Sequence, residues 1–205
     1  VLRLMLAQAL RLETPPHAVI ATALPLLSGG PRRLAHGVFS TLIKRELALP
    51  DAPSLPAEVV ERWGADRATS IAAGLVQPPE VDLHIKDIEQ TALWQAKLGG
   101  VSHAPGHVRI PRGTPIEKLE GYEEGAWWVQ DLAAMIPTAL LGTGSEFEGG
   151  HARDVCAAPG GKTMALAASG WRVTALDMSK RRLDVLKTNL KRTGLKASNV
   201  RADAL

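Results

Sequence analysis

Hydrophobic residues in the first 47 positions recur at helical spacing. The pattern predicts three helices. Pro15-Pro16 is expected to open the second helix, Ser28-Gly29-Gly30 to end it, and Pro31 to open the third. The predicted inward positions are Leu2, Leu6 and Leu10 in the first helix, Val19, Ile20, Ala23 and Leu24 in the second, and Leu34, Val38, Leu42 and Ile43 in the third.

The pattern is interrupted after these helices. Prolines at positions 50, 53 and 56 predict a linker without regular structure from Ala48 to Pro56. Short helices are expected beyond it, over Ala57–Trp63 and Ala65–Ala73.

A middle α+β module is expected from residue 78 to residue 150. The segments VDLHIK and HVRIP alternate as strands do, and IEQTALWQAKL predicts a helix with Ile88, Leu93 and Leu98 facing inward. The aromatic segment GAWWVQ leads into a predicted helix over Gln130–Leu141. Its two adjacent tryptophans are expected either to pack at a domain seam or to stack on nucleic-acid bases.

The last segment alternates short apolar runs with amphipathic helical patterns, which predicts the first half of a doubly wound parallel sheet. Ser179 is expected to cap the second helix of this segment and Gly194 to end it. The expected elements are a strand over Arg153–Cys156, a helix over Thr163–Ser169, a strand over Arg172–Asp177, a helix with Leu183, Leu186 and Leu190 inward, and a strand over Asn199–Ala202.

Composition predicts a cytoplasmic protein. Hydrophobic residues make up 45% of the chain, no apolar run reaches the ~18 residues of a membrane span, and no signal peptide is visible. A single cysteine among 205 residues cannot form an internal disulfide.

Positive charge is concentrated at the end of the chain. From Lys180 onward there are eight Lys or Arg residues and two acidic ones, so this segment accounts for the formal net charge of +3. A basic face that contacts nucleic-acid phosphates and an ordinary solvated helix surface both explain this distribution.

The segment DVCAAPGGKT carries the candidate chemistry. Its two glycines permit a ligand to approach the backbone closely, and the N–H groups of the following helix point toward that ligand. A phosphate-binding P-loop would need a glycine at Cys156, and the spacing of Gly160 and Gly161 does not fit the dinucleotide fingerprint. A nucleoside without pyrophosphate, S-adenosylmethionine above all, fits better than either. A glycine-rich turn that binds no ligand remains the alternative.

These residues carry a resemblance. DVCAAPGGKT followed by VTALDMSKRRLDVLKTNLKRTGL resembles the cofactor-binding half of the Sun-type (Fmu) ribosomal RNA cytosine-5 methyltransferases. GAWWVQDLAAMIPTALLG is similar to the helix before that fold, and PAEVVERWG with PPEVDLHIK to the family's linker and the start of its small RNA-contacting domain. LRLMLAQALRLETPPHAVIATALPLL and HGVFSTLIKREL resemble the last helices of a NusB-like domain.

The resemblance implies a partial α/β Rossmann-like methyltransferase fold, preceded by a small α+β module and the C-terminal helices of an all-α NusB-like domain. The expected domains are the end of the NusB-like domain at 1–47, a linker with helices at 48–77, the RNA-contacting module at 78–150, and the first half of the S-adenosylmethionine-binding domain at 151–205.

Nine residues are candidates for cofactor binding. Asp177 is expected to accept hydrogen bonds from the ribose hydroxyls, and Asp203 matches the family acid near the adenine. Lys162 would lie near the cofactor carboxylate, and the alternatives are a surface lysine and a solvated acid at 203. The full candidate set is Cys156, Ala157, Ala158, Pro159, Gly160, Gly161, Lys162, Asp177 and Asp203.

The implied reaction is methyl transfer to C5 of cytidine in small-subunit ribosomal RNA, through a thiolate that adds to C6. In the family this cysteine lies in a later Pro-Cys or Thr-Cys segment, so it is expected beyond Leu205 and no catalytic residue is assigned here. Cys156 is interpreted as a small residue of the turn. The chain opens on Val1 in mid-helix and is interpreted as an internal fragment that binds cofactor at best, without turnover.

Two alternatives stay open: a non-catalytic RNA-binding module of NusB type, and a transfer-RNA cytosine-5 methyltransferase. His103 and His107 have metal-like spacing, but they flank Pro105-Gly106 without a third ligand, so no metal is expected. The expected partner is small-subunit ribosomal RNA, with no membrane association and a monomeric state.

Overall fold

The computed structural model describes residues 1–45, 48–50, 52–76, 78–147 and 149–204. The chain divides into two compact units, Val1–Gln77 and Pro78–Leu205. Each unit has a hydrophobic core of its own, and the candidate cofactor residues all belong to the second.

The first unit is helical. Its core is built around Met5, Val19 and Phe39, none of which is exposed to solvent. Pro25 explains why α2 ends early: it has no N–H to donate and its ring clashes with the preceding turn, so the chain continues as a 3₁₀ turn over Leu24–Leu26. The helices are α1 Leu2–Arg11, α2 Pro16–Ala23, α3 Gly29–Lys44, α4 Ala57–Trp63 and α5 Ala65–Gly74.

Helix α3 differs from the prediction in its start and in its inward face. It begins at Gly29, so the two glycines form its first turn instead of ending α2. Ala35 and Phe39 are its buried residues, whereas Leu34 is 69% exposed. The predicted stripe through Leu34 and Val38 is therefore wrong by one residue, which rotates the face by about 100°.

The second unit begins with a three-stranded antiparallel sheet. Strand β1 Val81–Ile85 lies between β2 His107–Ile110 and β3 Trp127–Val129. Helix α6 Thr91–Leu98 buries Trp94 in the core beside this sheet. The prediction that Ile88 and Leu93 face inward is wrong, since they are 53% and 49% exposed.

The two adjacent tryptophans are packing residues. Trp127 is fully buried and Trp128 is 2% exposed, so neither ring is available to stack on a base. The indole N–H of Trp127 donates to the carbonyl of Glu120 over 3.0 Å, which satisfies its one polar atom.

A buried carboxylate joins three elements of the second unit. Asp82 on β1 accepts from Arg109 Nε over 2.7 Å and from Arg109 Nη2 over 3.1 Å. The same side chain accepts from the backbone N–H of Leu132, over 3.0 Å, at the start of α7 Leu132–Ala139. His107 Nε2 lies 3.1 Å from Asp82 Oδ1. Asp82 therefore fixes β2 and α7 relative to β1.

The second sheet is parallel, in the order β4-β5-β6. Its first strand ends at Val155, one residue before the predicted end, because Cys156 adopts a left-handed φ of 57°. Helix α9 buries the predicted Leu183, Leu186 and Leu190. The elements are β4 His151–Val155, α8 Gly161–Ala168, β5 Arg172–Asp177, α9 Lys180–Thr193 and β6 Ser198–Arg201.

Candidate cofactor site

The double-glycine bend lies where β4 ends and α8 begins. The N–H of Ala157 donates to the carbonyl of Leu176 over 3.0 Å, which ties the bend to the neighbouring strand. Gly160 has a φ of 108° and occupies the N-cap position of α8. A β-carbon at this glycine would lie 3.0 Å from Cγ of Leu186, whose side chain is fully buried. The bend therefore requires glycine both for its backbone angle and for its contact with α9.

Gln130 packs behind the second glycine. A β-carbon at Gly161 would lie 3.4 Å from the Gln130 amide carbon. Gln130 is 6% exposed, and its amide nitrogen donates to the carbonyl of Ala134 over 3.1 Å. Its amide oxygen accepts from Trp128 Nε1 over 2.7 Å and is 3.1 Å from His84 Nδ1. This network fixes the surface against which the start of α8 rests.

Asp177 is a buried, oriented acid at the end of β5. It is 3% exposed. One oxygen accepts from the backbone N–H of Ser179 over 2.9 Å and the other from that of Ala158 over 3.2 Å. The Ser179 hydrogen bond, with that of Ala158 and the charge of Arg182, holds the pKa of Asp177 below its ordinary value. The group is therefore an ionised acceptor at neutral pH.

Two side chains of α9 hold the bend from outside. Arg182 donates to the carbonyl of Ala158, and its Nη1 lies 3.6 Å from the Asp177 carboxylate. Asn189 donates to the carbonyl of Pro159 over 3.0 Å. Neither contact was predicted from the sequence, where Arg182 counted only as one charge of the basic segment and Asn189 had no assigned role.

Another member of the basic segment points inward. The Arg192 guanidinium lies 4.1 Å from the centre of the Tyr122 ring and donates to the carbonyls of Tyr122 and Trp127. Arg192 and Arg182 thus have intramolecular partners. Arg182 is nevertheless exposed, as are the other α9 cations Lys180, Arg181, Lys187 and Lys191.

The remaining candidate residues are distributed around the bend. Ala157 and Ala158 are buried, whereas Cys156, Pro159 and Lys162 are exposed. Asp203 is exposed and follows β6, so it lies at the same carboxyl edge of the sheet as Asp177 because β5 and β6 are parallel. Asp177 and Ala158 are joined by a hydrogen bond.

The geometry of the bend suits a nucleoside. At the carboxyl ends of parallel strands, the bend offers backbone donors at a helix N-terminus, and Asp177 offers an anionic acceptor for paired hydroxyls. No group of three or more metal-ligating side chains occurs in the described ranges. No helix among the described residues has the length and apolar character needed to cross a bilayer.

The parallel order of β4, β5 and β6, with the glycine bend at their carboxyl ends, defines the first half of a Rossmann-like methyltransferase fold. Residues 146–204 match the family model described as 16S rRNA methyltransferase RsmB/F. Residues 146–204 are therefore similar to the methyltransferase domain of the RsmB/F family, and nearly the whole chain is similar to curated relatives named ribosomal RNA small subunit methyltransferase B.

Two curated relatives illustrate that relationship. Ribosomal RNA small subunit methyltransferase B of Shigella flexneri is 31% identical over 226 residues, which cover 97% of this chain and 51% of that protein. The protein of the same name in Citrobacter koseri is 30% identical over 224 residues, covering 96% and 51%. The chain thus spans about half the length of the curated relatives it matches.

Solved structures share the fold at lower identity. A methyltransferase homologue from Pyrococcus horikoshii has a TM-score of 0.58 and 19% identity, covering 82% of this chain and 57% of that one. NSun6 from the same organism, solved with the S-adenosylmethionine analogue SFG, has a TM-score of 0.56 and 17% identity, covering 74% and 66%.

Proposed function

We propose that the bend Cys156–Lys162 and the acids Asp177 and Asp203 bind S-adenosylmethionine, in a protein that methylates C5 of cytidine in small-subunit ribosomal RNA. The RsmB/F match of residues 146–204 and the name of the relatives, ribosomal RNA small subunit methyltransferase B, support the reaction class. The single observation that carries the cofactor assignment is the Asp177 carboxylate, buried, ionised and held by two backbone N–H groups beside the bend.

Each part of the site has a role in this proposal. Each carboxylate oxygen of Asp177 accepts a backbone hydrogen bond and has acceptor capacity left for a ribose hydroxyl. Gly160 and Gly161 keep the backbone free of side chains where the ribose and methionine would lie. Asp203 accepts from the adenine amine, and Lys162 lies near the cofactor carboxylate.

The protein chain itself supplies binding and orientation, and the cofactor supplies the electrophilic methyl group. The bend and Asp177 would hold this cofactor so that its methyl group could pass to C5 of cytidine. A cysteine thiolate would add to C6 to make C5 nucleophilic, and it would be released from C6 when a base removes the C5 proton. We assign Cys156 to the bend and not to that step, because its left-handed φ of 57° places it in the turn that follows β4.

The domain assignments complete the proposal. Helices α1 to α3 are the end of a NusB-like domain, and the antiparallel module around β1 is the RNA-contacting part. The exposed cations Lys180, Arg181, Lys187 and Lys191 of α9 support contact with phosphates. The protein acts in the cytoplasm as a monomer.

Calorimetric titration with S-adenosylmethionine tests the cofactor assignment. Asp177→Ala is expected to weaken binding by at least tenfold, because it removes a charged acceptor of two hydrogen bonds. Asp184→Ala is the matched control, since Asp184 is an exposed acid on α9 that pairs with Lys187 at the surface. Asp177→Asn, which keeps the shape of the side chain, separates loss of binding from loss of folding. Equal affinity in the wild type and all three variants would refute the assignment.

A further inference from the structure

A cleft separate from the glycine bend lies between β1, the loop at Ala104 and Pro105, and α7. Its volume is about 310 Å³, at the small end of the range of ligand pockets. None of the described residues that line it carries a formal charge at neutral pH. Its walls are mainly apolar and include Ile88, Pro105, Met135, Ile136 and Ala139.

His84 contributes the distinctive polar atom of this cleft. It is 9% exposed, its ring stacks on Trp128 with centres 4.5 Å apart, and its Nδ1 lies 3.1 Å from the Gln130 amide oxygen. Among the described residues, none forms a hydrogen bond with the other ring nitrogen, Nε2. Since His84 lines the cleft, Nε2 is the polar atom it offers to a ligand.

The hydrogen-bond network determines the tautomer of His84. The Gln130 amide nitrogen donates to Ala134, and the indole N–H of Trp128 donates to the amide oxygen. The atom that faces His84 Nδ1 is therefore an oxygen, which only accepts, so Nδ1 carries the proton. Burial lowers the pKa of His84 to about 4, so the ring is neutral at physiological pH. Nε2 is left as an acceptor with a free lone pair.

We propose that this cleft binds a small neutral aromatic molecule whose N–H or O–H donates a hydrogen bond to His84 Nε2. A charged ligand would lose its hydration without gaining a counter-charge from the walls. Apolar walls favour a flat hydrocarbon surface, and the thioether of Met135 makes favourable contacts with aromatic rings. The proposal does not depend on cofactor binding at the bend.

Indole and 1-methylindole are the probes, because they share a ring system and differ in the N–H donor. Titrations followed by NMR of the whole chain are expected to show indole binding about fivefold more tightly, which is the effect of one hydrogen bond. The Nε2 resonance of His84 should shift with indole and less with 1-methylindole. Equal affinities, or no binding of either probe, would overturn the proposal.

Variants locate the binding to this cleft. His84→Phe keeps an aromatic ring beside Trp128 but has no acceptor, so indole should lose its advantage over 1-methylindole. Ala139→Trp should abolish binding of both probes by filling the cleft, whereas Ala133→Trp, on an exposed position of the same helix outside the lining, should not. Unchanged binding by Ala139→Trp would overturn the location even if His84→Phe failed to fold.

Discussion

Substitution of Gly160 by alanine tests whether the bend requires glycine for both reasons given above. The backbone angle of 108° lies where a side chain is strained, at a cost of about 1–2 kcal/mol. The new methyl group would also lie 3.0 Å from the buried Leu186, and overpacking of this kind costs about 1–3 kcal/mol. Gly160→Ala is therefore expected to lower the free energy of unfolding by about 2–5 kcal/mol.

Gly194→Ala is the matched control for this substitution. Gly194 also has a positive φ, of 67°, at a helix end, but nothing lies within 4 Å of a β-carbon there. It should show the conformational cost alone, about 1–2 kcal/mol. Urea denaturation followed by tryptophan fluorescence measures both, because four of the five tryptophans lie after residue 78.

A double-mutant cycle with Leu186→Ala isolates the contact. Leu186→Ala alone should cost about 2–5 kcal/mol, since the side chain is fully buried. When Leu186 is alanine, the methyl group added at position 160 has room. The double variant should therefore lose less stability than the sum of the two single variants, by about 1 kcal/mol or more. Equal losses for Gly160→Ala and Gly194→Ala, with no coupling to Leu186, would refute the reasoning.

The remaining predictions concern pH. Burial raises the pKa of Asp82, but the hydrogen bonds from Arg109, the Leu132 N–H and His107, with the charge of Arg109, together outweigh it and lower the pKa. The stabilisation from Asp82 is therefore present above about pH 4 and is lost as the pH falls below it. The urea midpoint should fall in that range for the wild type and less for Asp82→Asn, and parallel curves would contradict the role of Asp82. Burial lowers the pKa of His84 to about 4, so its contribution to stability should already fall between about pH 6.5 and that value. An NMR titration of the His84 ring measures this directly, and a midpoint near 6.5 would show that the ring is not buried.

Local pattern was sufficient for the elements around the bend. Strand β5 has the predicted bounds, Ser179 caps α9, and Gly194 ends it in a left-handed conformation. These features depend on residues close in sequence. The Ser179 hydroxyl, for example, accepts from the backbone N–H of Arg182, three residues later. The chemical roles of the bend and of Asp203 stay predictions, and the titrations above test the part played by Asp177.

The same kind of pattern failed where two faces of one helix were both apolar. On α3 the stripe through Leu34 and Val38 and the stripe through Ala35 and Phe39 have equal spacing. Spacing cannot choose between them, because it contains no information about which side meets the other helices. Ala35 and Phe39 are the buried stripe because they pack against Met5 and Val19 of the other helices. On α6 the same cause buried Trp94 in place of Leu93.

The sequence by itself determined the order of strands and helices and the glycine bend, because backbone preferences and hydrophobic period act within a few residues. Only the tertiary structure decided the partners of Arg182 and Arg192, since each contacts carbonyls more than twenty residues away. The tertiary structure also decided that His84 Nε2 is an acceptor at the cleft, because the proton on Nδ1 is fixed by the side-chain amide of Gln130, 46 residues away. Contacts of this length are formed by the packing of whole elements, and no local pattern encodes them.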